Sequence, residues 1–521
     1  MGMLNKFICK GNLHDSLFSN QTKMINPDSV YIFNPAYGLQ NDWTKIYMFD
    51  NPNINRWEMD IESDFTNIIH PIHALIFSVF DGINNSKKCI NKLSKLFTLP
   101  YEKIDQLIEP FINNKTGIIN TLSGIQYKIP KNVIVENVSG HKRKYKPEDF
   151  IVENSNLEIK FERHHYPLNI IFVTNFSCVT DCIYCYANRK AQYTPMTIKR
   201  IVEIIKEASY LNIRSFDLTG GEVFLYKHWK LLLKTLAQYG YKPIISTKIP
   251  ISLSIIKELK NMGYDQLQIS FDTLDSQKLC LSLNVASDYN KKMLETIQNL
   301  ESEGINVKIH SIITNFNSDL NNIKAFIEKL NEFKNIRLLT FTVAERSHFK
   351  DEIVYFKYRV KDEILVEIKD YIEAQKSKKL NFELRFSRYR TKEDYFCTDT
   401  SKFNERARCS ANVDSCIILP DGKVTICEEL YWHPKFLIGD LTKQSLTEMW
   451  NSSDALALYS LNPEVISNNS RCKECADLTN CHQEKGVCWK LILQAYGDQN
   501  WDYPDPRCPK SPKEMNVFYT E

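Results

Sequence analysis

The chain carries no strong charge of either sign. Its 66 Lys and Arg stand against 63 Asp and Glu, a formal net charge of +3 over 521 residues. That balance argues against a dedicated nucleic-acid binder. The basic cluster His141, Lys142, Arg143, Lys144 and Lys146 is expected to be a solvated linker, not a binding patch. Long apolar runs are absent too: the longest, such as 74–80, fall far below the ~20 residues that cross a bilayer. Residues 1–10 are short and mixed, without a basic-then-apolar leader, so a cytoplasmic protein with no membrane partner is expected. There is no internal repeat and no low-complexity tract. Length is then the guide to organisation, and it suggests about three domains at roughly 150 residues each. With 43% hydrophobic residues, the composition suits globular domains with real cores.

What the chain has in plenty is cysteine. Of its fifteen, three lie at Cys178, Cys182 and Cys185, and eight lie beyond Arg408. Cys9, Cys89, Cys280 and Cys397 belong to neither group and read as small buried hydrophobes or idle thiols. Disulfide scaffolds are dense in cysteine, but they are small and secreted, which disfavours that use here.

Cys178, Cys182 and Cys185 have three residues, then two, between them, and follow the apolar run 170–173, which reads as a buried strand. A 4Fe–4S cube has four irons, so three thiolates leave one iron without a protein ligand. A small molecule with an amine and a carboxylate can chelate that iron, whereas clusters for electron storage normally use four cysteines. Zinc is the main rival, since catalytic zinc also keeps an open position. Catalytic zinc favours a histidine or carboxylate among its ligands, and Asp181, adjoining Cys182, is poorly spaced to share its metal.

This run, with Tyr184 just before the third cysteine, resembles the radical S-adenosylmethionine (SAM) enzymes. From 167 to 343 the pattern alternates short β-rich runs (168–174, 215–219, 243–247, 266–272, 307–314, 336–343) with helical stretches (198–209, 255–262, 291–303, 320–330). Such alternation means βαβ units and a parallel sheet. Six units are fewer than the eight of a closed barrel, and the resemblance likewise implies an α/β partial (βα)6 TIM-like barrel. The cysteine loop after the first strand sits where such sheets bind ligands. Gly220-Gly221-Glu222 ends the second strand; two glycines allow close backbone approach, and the glutamate can accept from an ammonium. In the family this motif holds the amino group of SAM. By the same resemblance Ser270 and Asp272 lie near the ribose and methionine, and Tyr184 near the adenine. Ser246, with Thr247 and Lys248, is a candidate for that pocket, and Thr314 and Asn315 could line the site or cap a helix. The implied chemistry is reductive cleavage of SAM to a 5′-deoxyadenosyl radical that abstracts a substrate hydrogen. An external electron donor such as a flavodoxin or ferredoxin is implied with it.

The second cysteine array is Cys409, Cys416, Cys427, Cys472, Cys475, Cys481, Cys488 and Cys508. Eight thiols suffice to ligate two clusters fully. Together with Asp421-Gly422 before Cys427, the array resembles the SPASM extension of radical SAM enzymes, although three extra residues separate Cys481 from Cys488. The resemblance implies one auxiliary 4Fe–4S cluster on Cys409, Cys416, Cys427 and Cys488. It implies a second on Cys472, Cys475, Cys481 and Cys508. Structural zinc on Cys472, Cys475, Cys481 and Cys488 is the alternative. Fully ligated clusters can take an electron from a substrate radical, which suits a net oxidation. Glu428 follows Cys427, where some SPASM maturases carry an acidic base; a solvated acid is the plainer alternative.

Toward the N-terminus, His70-Pro71-Ile72-His73 opens a helical pattern (71–80), followed by 89–97 and 101–112 and a possible wing hairpin at 117–128. Extended runs at 30–33 and 45–49 precede them. The order resembles the PqqD-like peptide-recognition element of ribosomal-peptide biosynthesis, a winged helix-turn-helix-like α+β domain. It implies β-augmentation by the leader of a precursor peptide. Acids Glu102, Asp105 and Glu109 on the third helix disfavour DNA. The expected organisation is a peptide-recognition domain at 1–130, a linker at 131–166, a radical SAM core at 167–395 and a SPASM domain at 396–521. The expected function is a peptide maturase installing a thioether or carbon–carbon cross-link. A sulfatase-type or quinone-type maturase that oxidises a protein residue, and a non-catalytic iron–sulfur electron carrier, are the alternatives.

Overall fold

The computed structural model describes residues 24–54, 60–62, 65–122, 125–143, 145–152, 162–189, 191–387, 389 and 399–512. Cys9, Cys397 and Lys144 lie outside them. The chain divides into two compact units, one of residues 1–168 with 208–215 and one of 169–207 with 216–521.

The first unit begins with β1 (Val30–Phe33), β2 (Tyr37–Asn41), β3 (Ile46–Asp50) and β4 (Thr66–Ile69). The last three form an antiparallel meander. Helix α1 (Pro71–Val79) starts on a proline, whose missing N–H costs nothing at a first turn, and His70 Nδ1 accepts from Ile72 N at 3.2 Å. After β5 (Asp81–Asn85) comes α2 (Ser86–Phe97), which buries Cys89, Ile90, Leu93 and Phe97 along one stripe and is capped by Asn85. Helix α3 (Tyr101–Ile108) precedes the antiparallel hairpin of β6 (Ile118–Leu122) and β7 (Ile125–Ile129). The final strand, β8 (Ile134–Glu136), pairs with β1, whose other edge holds β5. Phe33, Phe77, Ile90, Leu93, Ile104 and Ile134 share one core.

The stretch expected as a linker is thus built into this unit. Besides β8 it contributes buried Phe150, and Arg143 is not a solvated cation. Its guanidinium lies 4.9 Å from the Phe33 ring and 4.7 Å from the Tyr145 ring and donates to the Tyr37 carbonyl. The aromatic neighbours hold it there, a contact that a run of basic residues does not reveal.

The second unit opens with β9 (Asn169–Val173), α4 (Ile198–Tyr210), β10 (Ser215–Thr219) and α5 (Trp229–Gln238). Then β11 (Ile245–Thr247), β12 (Gln266–Ser270), β13 (Asn306–Ile313) and β14 (Ile336–Val343) pair in parallel, each in sequence order. Between them run α6 (Leu253–Asn261), α7 (Ser276–Leu283), α8 (Tyr289–Ser302) and α9 (Leu320–Leu330). Strict alternation of burial along β13 matches the pleat. One further parallel strand beyond the six expected, β15 (Glu383–Phe386), makes this a five-stranded sheet, while β10 and β9 lie in a second sheet. It is short, with Glu383 and Arg385 exposed and Leu384 buried, so it carries little apolar signal.

Strands β16 (Ser415–Ile418) and β17 (Lys423–Thr425) form a hairpin around Leu419-Pro420-Asp421-Gly422, and β18 (Leu437–Asp440) follows. Gly422 takes φ +91°, the left-handed conformation such a turn demands. Strand β16 lies parallel to β9, placing Cys416 opposite Ile170. The cysteine-rich region is therefore stitched to the strand that leads into the first cysteine loop. Among the described residues, no helix is long and apolar enough to cross a membrane.

Candidate functional site

The first cysteine loop is pinned from several sides. Gly221 N donates to Asn175 O and Glu222 N to Ser177 O, both at 2.8 Å. A Cβ on Gly221 would stand 1.9 Å from Ser177 O, and one on Gly220, at φ +141°, would stand 2.5 Å from Asn175 O. The two glycines therefore serve the approach of their strand end to the cysteine loop itself. Asp181 N and Ile183 N donate to Leu283 O and Ser282 O at the end of α7, each at 2.8 Å. Arg189 bridges Asp181 Oδ1 (2.6 Å) and the Cys178 carbonyl (3.0 Å).

Within this loop Thr180 Oγ1 lies 3.3 Å from Cys178 Sγ and 3.4 Å from Cys182 Sγ. Burial raises the thiol pKa of both Cys182 and Cys185, and Lys248 works against it at Cys182. Thiols so buried stay protonated unless a metal centre takes up their charge. Among the described residues, no group of three or more His, Cys, Asp or Glu is arranged to hold a single metal ion. A cube binds each thiolate at a different iron, so neighbouring thiols around a wider centre are the donor set it needs.

Beside the loop lies a polar cluster at the C-terminal ends of the parallel strands. Glu222 is 1% exposed. It accepts from Thr247 Oγ1 at 2.9 Å and from Phe224 N and Lys248 N at 3.2 Å. Burial raises its pKa and these bonds oppose the rise. Asp272 is nearly as buried, and its carboxylate accepts from Tyr184, from Lys248 Nζ at 3.1 Å and from Ile312 N at 3.0 Å. Lys248 also donates to Tyr184 Oη at 2.5 Å, closing a lysine–aspartate–tyrosine triangle. Burial lowers the Lys248 pKa most, but the Asp272 charge and hydrogen bond together with Cys182 and Cys178 outweigh it, and the net shift is upward.

Ser246 accepts from Gln268 Nε2 at 2.9 Å, and Ser270 pairs in register with His310. His310 escaped the sequence reading because one histidine in an alternating strand carries no signal. Its Nε2 meets Thr342 Oγ1 at 2.9 Å, and burial with the nearby Lys248 lowers its pKa. Thr314 is tied into a turn by Asn317 at 2.7 Å.

Seven of the eight distal cysteines act on one another's thiols in two groups. Burial raises the Cys409 and Cys427 thiols, Cys427 up to about 12, and the nearby Cys488 raises both further. Cys416, fully buried on β16, belongs to the same region of sequence. Cys472 is pushed up to about 12 by burial and then by Cys508, Cys481 and Cys475. Cys508 is likewise raised to about 11 by burial, with Cys481 and Cys475 adding to it. The extra residues between Cys481 and Cys488 are taken up by a π-helical turn, Cys481–Lys485. Cys488 N donates to Asp505 Oδ2 at 2.9 Å.

Glu428 is not a solvated acid. Tyr186 Oη donates to its Oε2 at 2.9 Å, and burial raises its pKa. Tyr186 directly follows Cys185, so this bond joins the first cysteine loop to the residue after Cys427. The contact is reinforced by Tyr431, which stacks on Phe176 at 5.0 Å and accepts from Asn188 N at 2.6 Å. Cys89 forms no part of either array: it is buried in α2, and its thiol contacts the Val79 carbonyl at 3.4 Å.

Residues 172–330 match the radical SAM superfamily, and 409–477 match SPASM, an iron–sulfur cluster-binding domain. The chain carries a radical SAM domain and a SPASM domain. Their cofactors are 4Fe–4S clusters and SAM, and the pairing is that of SAM-dependent radical enzymes. Cys481, Cys488 and Cys508 lie beyond the matched SPASM residues. A probable GTP 3′,8-cyclase of Pyrococcus abyssi is 32% identical over 105 residues, 19% of this chain and 33% of the relative. GTP 3′,8-cyclase of Helicobacter pylori is 24% identical over 208 residues, 39% of this chain and 63% of the relative. The chain thus spans about a third of the length of the first of these relatives.

Over most of its length the fold is similar to Streptococcus suis SuiB bound to SAM. The TM-score is 0.62 at 14% identity, over 92% of this chain and 99% of that one. SuiB bound to its precursor peptide SuiA gives 0.58 at 15% identity, over 91% and 98%. At such identities the likeness is one of fold.

Proposed function

We propose that this chain is a radical SAM maturase that binds a ribosomally made precursor peptide and installs a thioether or carbon–carbon cross-link in it. One observation carries the proposal. The fold similarity to SuiB, a protein solved with a precursor peptide, extends over 92% of the chain, well beyond the residues 172–330 and 409–477 that match the two families. In this reading the N-terminal unit receives the peptide leader along a sheet edge. An external donor such as a flavodoxin or ferredoxin supplies electrons.

Cys178, Cys182 and Cys185 would hold the cluster that leaves one iron open, and Tyr184, Gly220, Gly221, Glu222, Ser246, Ser270 and Asp272 would form the SAM pocket. Bound there, SAM and its cluster supply a 5′-deoxyadenosyl radical for hydrogen abstraction. The protein's part is orientation and exclusion of water. Glu222 would offer its carboxylate to the amine of SAM, and the Lys248–Asp272–Tyr184 triangle, joined to Glu222 through Lys248 N, would hold the adjoining polar groups in place. Cys409, Cys416, Cys427 and Cys488 would hold one auxiliary cluster, and Cys472, Cys475, Cys481 and Cys508 the other. Glu428, with its pKa raised by burial and its Oε2 held by Tyr186, is suited to accept the proton that bond formation releases.

The test is anaerobic incubation of the reconstituted protein with SAM, dithionite and a short cysteine-rich peptide encoded beside its gene. The expected product is a peptide lighter by a pair of hydrogens, with 5′-deoxyadenosine formed alongside it. An unchanged peptide, with turnover of GTP instead, would overturn the assignment.

A further inference from the structure

Arg406 is a buried cation, 8% exposed, without a carboxylate partner among the described residues. Its guanidinium lies 3.9 Å from the centre of the Phe403 ring. It donates to the carbonyls of Phe403 (3.0 Å), Cys481 (3.2 Å) and Gly486 (2.8 Å). One contact remains: Nη2 stands 3.2 Å from Cys481 Sγ. A buried cation without a counter-ion is unfavourable, and the sulfur becomes its counter-ion once it is a thiolate. A second cation meets the same cysteine set, since Lys510 Nζ lies 3.2 Å from Cys475 Sγ.

In the other distal set, Cys409 and Cys427 have no such cation on their sulfurs among the described contacts, and the Glu429 carboxylate beside Cys427 is itself paired with Lys490 Nζ at 2.5 Å. The carboxylates of Glu429 and Glu428 act on Cys427. Cys409 is flanked by Asp414 as well as Arg507. Two carboxylates do lie near the Arg406 set. Asp505 is held by Arg507 through two bonds of 2.8 and 2.7 Å, and Asp477 stands toward Lys510.

Net charge and hydrogen bonds to sulfur are among the levers that set the potential of an iron–sulfur cluster. Reduction adds negative charge, which a guanidinium and an ammonium on the sulfurs stabilise. We infer that Arg406, assisted by Lys510, raises the reduction potential of the cluster on Cys472, Cys475, Cys481 and Cys508 above that of the other auxiliary cluster. An electron shared between the two then rests at the Arg406 site. Arg406 is a positioning residue here, acting through Cys481, and the inference depends on the ligand sets proposed above.

The experiment is a redox titration followed by electron paramagnetic resonance on the full-length, anaerobically reconstituted protein. Cys178, Cys182 and Cys185 are replaced by alanine to silence the first site, and the signal that Cys475→Ala removes identifies the cluster in question. Arg406→Gln is expected to lower its midpoint by about 59 mV, a tenfold change in the reduced-to-oxidised ratio of a one-electron couple. Lys510→Gln, at an exposed position, is expected to shift it the same way by less. The other auxiliary signal should stay where it was. Unchanged midpoints in both variants, with the cluster present, would overturn the inference while leaving the ligand sets standing. If Arg406→Gln fails to assemble, the Lys510→Gln midpoint decides alone. A reconstituted protein lacking any signal sensitive to Cys475→Ala would instead overturn the ligand assignment.

Discussion

Glu222 concentrates several demands in one side chain. It is buried against the loop of Cys178, Cys182 and Cys185, it accepts bonds from Thr247, Phe224 and Lys248, and its backbone N–H donates to Ser177. A buried carboxylate with three donors is a rigid acceptor, and an incoming ammonium would find it preset. Glu222→Gln keeps the volume and removes the charge. We expect SAM affinity, read by equilibrium dialysis, to fall about tenfold or more, ~1.4 kcal/mol, with the visible spectrum of the clusters unchanged. Equal affinity in the variant would remove Glu222 from the pocket. Much of this site was legible at the level of residue type, because cysteine spacing and Gly-Gly-Glu are short-range features. The partners of Asp272 were not. Tyr184, Lys248 and Ile312 reach it from different strands and loops, and only the sheet register brings them together.

At the scale of elements, α1 carries a testable liability. Burial lowers the pKa of His73 to about 3 and of His70 to about 4, and Tyr127 Oη lies 3.0 Å from His73 Nδ1. Both folded values lie below the unfolded value near 6.5, so the unfolded chain binds more protons as pH falls. The stabilisation is complete above about pH 6.5 and is lost progressively toward pH 4, by up to ~1.4 kcal/mol per pH unit for each histidine. Urea midpoints measured from pH 7.5 to 5 should therefore decline, and His73→Gln should decline less steeply. An equally steep decline in that variant would place the pH sensitivity elsewhere.

Elements with strong periodicity were readable in advance: α9 and β14 occupy the ranges that apolar spacing indicates. Strand β15 was not readable, since four residues with two exposed charges hold too few apolar positions. Strand β8 is only three residues long, a short apolar run at the edge of a charged segment, and pairing with β1 decides its conformation. Neither case reflects weak structure. Both are strands whose stability comes from neighbours distant in sequence.

For the whole molecule, the decisive arrangement is that the first cysteine loop and the distal cysteines lie within one unit. The parallel pairing of β16 with β9 and the Tyr186–Glu428 bond tie that loop to the region of Cys416 and Cys427. Cys488 is an electrostatic neighbour of Cys409 and Cys427, while Cys475, Cys481 and Cys508 are neighbours of Cys472. That grouping is the one the proposed ligand sets require. Three 4Fe–4S clusters would bring about twelve irons per chain.

The most direct measurement is 5′-deoxyadenosine formed under anaerobic conditions with dithionite and SAM, comparing the native protein with a variant in which Cys178, Cys182 and Cys185 are all alanine. The native protein should form it. The variant should form none while retaining about eight irons. Undiminished formation by the variant, or a native protein that holds zinc at those three thiols and forms none, would contradict the central claim.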